Sequence, residues 1–159
     1  MKYCYCDTPI GNLLIAGDKE GIKLVSFPKG SQKKKPFPEW TEDSSFFKRA
    51  ITEFKKYFTG ELKKFSVPIV LEGTPFQLSV WKELKKISYG TTTNYGELAR
   101  RIGNPKAARA VGMANRCNPI PVIIPCHRVI GKNGSLTGFG GGLPTKQKLL
   151  ELEKKFVKK

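Results

Sequence analysis

Asn94-Tyr95-Gly96-Glu97-Leu98-Ala99-Arg100-Arg101-Ile102-Gly103-Asn104-Pro105-Lys106-Ala107-Ala108-Arg109-Ala110-Val111-Gly112-Met113-Ala114-Asn115-Arg116 reads as two short helices meeting at a tight glycine turn. Asn94 followed by Glu97 is a capping pattern, and Leu98, Ala99 and Ile102 give the first helix an apolar face that stops at Gly103. Asn104 is the expected cap of the second helix, with Pro105 at its first position. Its small residues permit close approach to something large. Two such helices form a helix-turn-helix pattern, and Arg100, Arg101, Lys106, Arg109 and Arg116 suit a polyanion. On pattern alone an ordinary helical hairpin remains open.

Downstream, Asn118-Pro119-Ile120-Pro121-Val122-Ile123-Ile124-Pro125 cannot be helical and is expected to run extended into Cys126. Cys126 is followed by His127, the only histidine of the chain. A thiolate is the strongest soft nucleophile a protein owns, and a neighbouring imidazole is the usual means of generating one near neutral pH. An inert buried cysteine beside a structural histidine is the competing reading of the dipeptide. Val129-Ile130, a turn at Lys132-Asn133-Gly134 and Leu136 are expected as a small hairpin. Gly138-Phe139-Gly140-Gly141-Gly142 would leave backbone N–H groups free to approach a flat ligand, or would simply be a flexible loop. From Pro144 to Phe156 an amphipathic helix turns Leu149, Leu150 and Leu152 towards the core, with Lys146 and Glu153 sharing a face.

Upstream, Thr74-Pro75-Phe76-Gln77 is a strong helix start, followed by a stripe of Phe76, Val80, Trp81, Leu84 and Ile87. The boundary between two domains falls just before it, giving residues 1–73 and 74–159. In the first, runs at 2–6, 12–16 and 22–27 separated by turn residues predict consecutive hairpins. Cys4 and Cys6 face one way in the first strand, as core residues. Residues 28–43 read as a mobile loop, Ser44 or Ser45 as the cap of a helix carrying Phe47, Ala50, Ile51, Phe54 and Phe58, and residues 67–71 as a further short strand. The fold class is α/β (α+β): a small antiparallel sheet with a helix, then a helical domain.

The chain carries 29 Lys and Arg against 13 Asp and Glu, a net charge of +16. Residues 1–73 contribute 13 against 9 and residues 74–159 contribute 16 against 4, so the second half holds the field. Nucleic acid is the natural partner of that surface, because neutralised phosphates release counterions; a merely lysine-rich surface is the alternative. No apolar run approaches a membrane span and the N-terminus lacks the apolar core of a signal peptide, so no membrane role is expected and a cytoplasmic location is, or a nuclear one in a eukaryotic host. Four cysteines at 4, 6, 117 and 126 with a single histidine predict free thiols, no metal and no cofactor.

Residues 74–153 resemble the O6-alkylguanine-DNA alkyltransferases. The resemblance rests on Thr-Pro-Phe-Gln at 74, Val-Trp at 80, Tyr-Gly-Glu-Leu-Ala at 95, Ala-Ala-Arg-Ala-Val-Gly at 107, Asn-Pro-Ile-Pro at 118, Ile-Pro-Cys-His-Arg-Val-Ile-Gly at 124 and Gly-Gly-Leu at 141. It implies a ribonuclease-H-like N-terminal sheet, a helix-turn-helix at about 94–116 and an active-site segment at 118–142. It implies a monomer that acts on double-stranded DNA and moves an alkyl group from O6 of guanine, less readily O4 of thymine, onto Cys126 in a single turnover. By the same resemblance His127 takes the thiol proton through a water molecule, Glu153 orients His127, and Tyr95 donates to the leaving base. Asn118 is the hinge between recognition helix and active site. Arg109 fills the stack left by a flipped nucleotide, Ala108, Ala110, Gly112 and Ala114 pack in the minor groove, and Lys106 and Arg116 hold phosphates. Pro121, Val129, Thr137, Phe139 and Gly140 form the substrate pocket. The Gly140 N–H meets O6, and the Cys126 and Val129 carbonyls receive the exocyclic amine.

The chain departs from the family pattern in three places. Zinc ligated by N-terminal Cys and His in some relatives has no histidine here to hold it. Phe139 stands where some relatives have Tyr, which keeps the pocket wall but loses a hydroxyl. Thr137 occupies a pocket-edge position that is Gly in some relatives, which predicts slower reaction with benzyl than with methyl lesions. A relative that binds lesions without transfer is the main alternative, but such proteins carry Trp at the acceptor position, where this chain has Cys126.

Overall fold

The computed structural model describes residues 1–157. Three strands, β1 (Lys2–Thr8), β2 (Gly11–Asp18) and β3 (Gly21–Ser26), form the expected antiparallel meander. Alternation puts Cys4 and Cys6 of β1 opposite Ile15 and Leu13, and all four are buried. Burial pushes the Cys4 thiol up to about 12, helped by the nearby Cys6, so this pair is core and not redox chemistry.

Residues 28–43 are more ordered than their polar, proline-broken composition predicts. Thr41–Glu42 joins β1 in parallel as edge strand β4, completing the order β3-β2-β1-β4, and Phe37 packs on Trp40 at 4.9 Å between ring centroids. Asp43, not Ser44 or Ser45, caps a 3-10 turn at Ser44–Phe47: its Oδ1 accepts from the Phe46 N–H at 3.2 Å. Helix α1 (Lys48–Phe58) then lays Ala50, Phe54, Tyr57 and Phe58 on the sheet. Residues 67–71 do not form a strand. Pro68 removes a ladder donor, and only Ile69 bridges to Ile22 beside β3.

The second half is built from α2 (Pro75–Leu84), α3 (Tyr95–Arg101), α4 (Ala108–Arg116) and α5 (Leu143–Phe156). The capping box at Thr74 is complete: Thr74 accepts from the Gln77 N–H at 3.1 Å, and Gln77 accepts from the Thr74 N–H at 3.0 Å. Thr74→Ala is expected to cost about 1 kcal/mol and to lower the melting temperature by a few degrees, readable by thermal circular dichroism. Trp81 is 2% exposed and donates its indole N–H to the Ala114 carbonyl at 2.9 Å, which locks α2 against α4.

Helix α4 begins at Ala108 and not at Pro105, because residues 104–107 close a separate turn through the Ala107 N–H and Asn104 carbonyl. Val129–Ile130 is a strand, β6, but its partner is Thr93–Asn94 (β5), in parallel. The expected hairpin is absent: residues 131–135 close on themselves through the Gly131 N–H to Ser135 carbonyl bond at 2.8 Å. The β5–β6 pairing therefore places the start of α3 directly beside the segment that follows Cys126.

Candidate active site

Two asparagines tie the end of α4 to the cysteine. Asn118 donates to the Ile124 carbonyl at 2.8 Å and accepts from the Ile120 N–H at 3.0 Å; Asn115, whose role sequence alone leaves open, donates to the Cys126 carbonyl at 3.3 Å. Between Ile120 and Ile124, where an extended run is expected, the chain turns and Val122 holds a φ of 72°, a left-handed conformation that a β-branched residue rarely adopts. The turn is closed by the Ile124 N–H to Ile120 carbonyl bond at 3.0 Å, so packing and hydrogen bonds hold the strained residue in place.

Cys126, His127 and Arg128 form a 3-10 turn and are all buried. Glu153, seven residues beyond Lys146 on the inner face of α5, gathers five donors. His127 Nε2 lies 2.6 Å from Oε2, Arg128 donates through Nε at 2.8 Å and Nη2 at 2.9 Å, the Gly90 N–H donates at 3.2 Å and the Tyr57 hydroxyl at 2.5 Å. Burial alone would raise the Glu153 pKa, but the His127 and Arg128 hydrogen bonds and charges outweigh it and hold the carboxyl well below its usual range. Burial pulls the His127 pKa down against the opposing pull of Glu153. A neutral imidazole that donates from Nε2 to Glu153 carries its lone pair on Nδ1, and Nδ1 is buried with no hydrogen-bond partner among the described residues. The ring is thus ready to accept a proton.

Burial pushes the Cys126 thiol up to about 11, while an Asn118 hydrogen bond and the charge of Lys146 draw it partway back. Lys146 is completely buried and donates to the carbonyls of Val129 at 2.5 Å and Thr137 at 3.2 Å. Its pKa is lowered by burial to about 8, against the pull of Cys126. Among the described residues this cation has no carboxylate partner, and it is available to a thiolate.

A cavity of about 280 Å³ reaches Cys126 between Pro121, Arg116, Phe139 and Gly140 on one side and Phe27 and Gln32 on the other. The N-terminal domain therefore forms one wall of the site. Gln32 donates its backbone N–H to the Gly140 carbonyl at 3.1 Å, and a Cβ at Gly141 would run into the Phe27 ring, which explains the glycines there. Sequence reasoning missed this contribution, as it missed Tyr57, Arg128 and Lys146. Tyr57 continues the buried stripe of α1, and Lys146 with Glu153 puts two charges on the inward face of an apolar helix; both were signals in the sequence.

The residues assigned to the recognition surface divide. Lys106, Arg109, Ala110 and Arg116 are exposed on one side of the helix pair, Ala108 and Gly112 are partly covered, and Ala114 lies in the core at 2% exposure. Ala114 faces the core and not a groove: its side chain belongs to the buried cluster, and its carbonyl accepts from Trp81 of α2 packed alongside. Arg100 and Arg101 are both paired with Glu97, at 2.5 and 3.1 Å. Tyr95 opens α3 with its hydroxyl 2.6 Å from that of Thr137, so these two expected pocket residues do meet. No group of three or more His, Cys, Asp or Glu able to hold a metal occurs among the described residues, and none of their helices is long and apolar enough to cross a membrane.

Fold and site together define a two-domain thiol protein in which a basic helix pair is bolted to a buried cysteine. Residues 1–71 match the family described as 6-O-methylguanine DNA methyltransferase, ribonuclease-like domain, and residues 75–155 match 6-O-methylguanine DNA methyltransferase, DNA binding domain. A methylated-DNA–protein-cysteine methyltransferase of Methanosarcina acetivorans is 54% identical over 96% of this chain and 98% of its own. One from Mycobacterium tuberculosis is 50% identical over 97% and 93%. The crystal structure of Mycobacterium tuberculosis OGT in complex with DNA superposes with a TM-score of 0.92 at 47% identity, covering 98% of this chain and 94% of that one. The chain belongs to the 6-O-methylguanine DNA methyltransferase family.

Proposed function

We propose that this protein repairs DNA by direct reversal, moving a methyl or small alkyl group from O6 of guanine in duplex DNA onto Cys126 in one irreversible turnover. The observation that carries the reading is the buried chain from Cys126 through His127 to Glu153, set directly behind a basic helix pair. The thiol proton leaves through a water molecule to His127 Nδ1, the sulfur attacks the alkyl carbon in line, and the carbon–O6 bond breaks. Tyr95 donates to the departing guanine as negative charge develops on it. The new imidazolium faces Glu153 and the transient thiolate faces Lys146, so each charge formed has a built-in partner.

A duplex base cannot reach a buried thiol, so the lesion must be flipped out at a cost of a few kcal/mol. In this reading Arg109 occupies the vacated stack, Ala108, Ala110 and Gly112 lie against the minor groove, and Lys106 and Arg116 hold phosphates. Asn118 transmits the placement of α4 to the cysteine, and Pro121, Val129, Thr137, Phe139 and Gly140 bound the alkylated base. The Val129 carbonyl accepts from Lys146 and keeps a second lone pair for the exocyclic amine, whereas the Cys126 carbonyl already accepts from the Asn115 amide and the Val129 N–H and would have to exchange the longer Asn115 bond for the amine. Incubation with a duplex containing O6-methylguanine, followed by intact mass, tests the reading. One added methyl in the wild type and none in Cys126→Ala is expected; DNA binding with an unchanged wild-type mass would identify a lesion-binding protein instead.

A further inference from the structure

Tyr95 opens α3 and Thr137 lies in the segment before the glycine loop, yet their hydroxyl oxygens are 2.6 Å apart and either can be the donor. We propose that Thr137 is a positioning residue whose hydroxyl orients Tyr95, donating to the phenol oxygen so that the phenol proton points at the flipped base. The inference rests on the alkyl-transfer reading and adds to it a proton direction that the bulk of Thr137 alone would not supply.

Three observations support it. Thr137 is pegged and does not drift with the exposed turn at 131–135, because its carbonyl accepts from the buried Lys146, whose other bond is to Val129 beside Cys126. Tyr95 is held on its other side: Asn94 caps α3 through the Glu97 N–H at 2.8 Å, and a Cβ at Gly112 of α4 would lie 3.7 Å from the Tyr95 ring. The ring thus sits between two fixed elements and its hydroxyl meets a third. The proton count then decides the direction. Each hydroxyl owns one proton, so when Thr137 accepts, the phenol proton is consumed; when Thr137 donates, it is free for the base. Both arrangements contain the same Tyr95–Thr137 bond. A base that enters the pocket therefore selects the second without breaking a contact, and a chain of two donors then faces the developing charge.

Single-turnover transfer rates on an O6-methylguanine duplex test this with a double-mutant cycle of Thr137→Val and Tyr95→Phe. Val keeps the shape and loses the hydroxyl. Thr137→Val is expected to be about 3- to 10-fold slower than wild type at saturating duplex, the worth of one hydrogen bond. Thr137→Ser, which keeps the hydroxyl, is expected to recover most of the loss. In the Tyr95→Phe background Thr137→Val is expected to cause no further slowing. Should Thr137→Val fold poorly, Thr137→Ala run through the same cycle gives the same discrimination. Equal rates for Thr137→Val and wild type, or an undiminished effect in the Tyr95→Phe background, would overturn the proposal. A wild type that transfers nothing would instead remove the alkyl-transfer reading itself.

Discussion

Glu153→Gln is expected to lose about 3–5 kcal/mol of stability and to slow alkyl transfer by about 100-fold, the larger of the two effects that the site geometry predicts. The shape of the side chain is kept, but the charge is not. Arg128 is then left buried at 6% exposure with no carboxylate, and His127 loses the group that fixes its tautomer and stabilises its protonated form. Chemical denaturation and single-turnover kinetics measure the two losses separately. Tyr57→Phe deletes one of the five donors without leaving a charge unpaired, so it should cost only about 1 kcal/mol. Equal losses for the two variants would contradict the network as described.

The same network sets the acid limb of stability. The folded His127 has a pKa below its unfolded value of about 6.5, so as pH falls through that value the unfolded chain takes up a proton that the folded chain refuses, and stability falls. Glu153 adds a second loss at lower pH: its stabilisation is complete above the unfolded carboxyl value of about 4.5 and is lost as pH drops towards its depressed folded pKa. Glu153→Gln is expected to abolish this second limb, which urea midpoints across the pH range would show.

Asn118→Ala carries the second large effect. It strands the buried Ile120 N–H at about 1–3 kcal/mol, leaves the Ile124 carbonyl with only its bond from the Cys126 N–H at 2.8 Å, and removes a hydrogen bond that favours the Cys126 thiolate. Transfer should fall with stability, whereas binding to unmodified duplex should hold, because the exposed side of α4 with Arg109 and Ala110 does not depend on that amide. Fluorescence anisotropy on a duplex and single-turnover transfer on a lesion distinguish the two. A parallel loss of both activities would mean that Asn118 supports the whole helix and not the coupling to Cys126.

What was legible in the sequence is what local chemistry encodes. Capping residues at Thr74 and Asn94 and a histidine beside Cys126 are statements about neighbours in the chain, and the structure keeps each of them, whereas the approach to Cys126 turns at residues 120–124 where an extended run is expected. Glu153 is assigned through the family resemblance, the spacing alone giving only a face shared with Lys146. Other features depend on tertiary placement. Nothing near Val129 announces that its strand pairs in parallel with Thr93 rather than folding back at Asn133, and Asn104-Pro105 looks like a helix start until Ala107 closes a separate turn. Residues 28–43 read as a loose loop because their order comes from pairing with β1 and from packing Gln32 and Phe27 against the glycine loop, contacts made about 110 residues away. Ala114 looked like one of a row of small surface residues, and only Trp81 of α2 reveals why that position faces inward.

The central claim is that Cys126 is a single-use acceptor. Titrating a fixed amount of protein with increasing O6-methylguanine duplex, with the methylated peptide located by mass spectrometry, tests it most directly. Repair is expected to saturate at one lesion per protein chain, with the methyl on the peptide carrying Cys126. Repair that continues past one equivalent, or a methyl found on Cys117 or elsewhere, would contradict it.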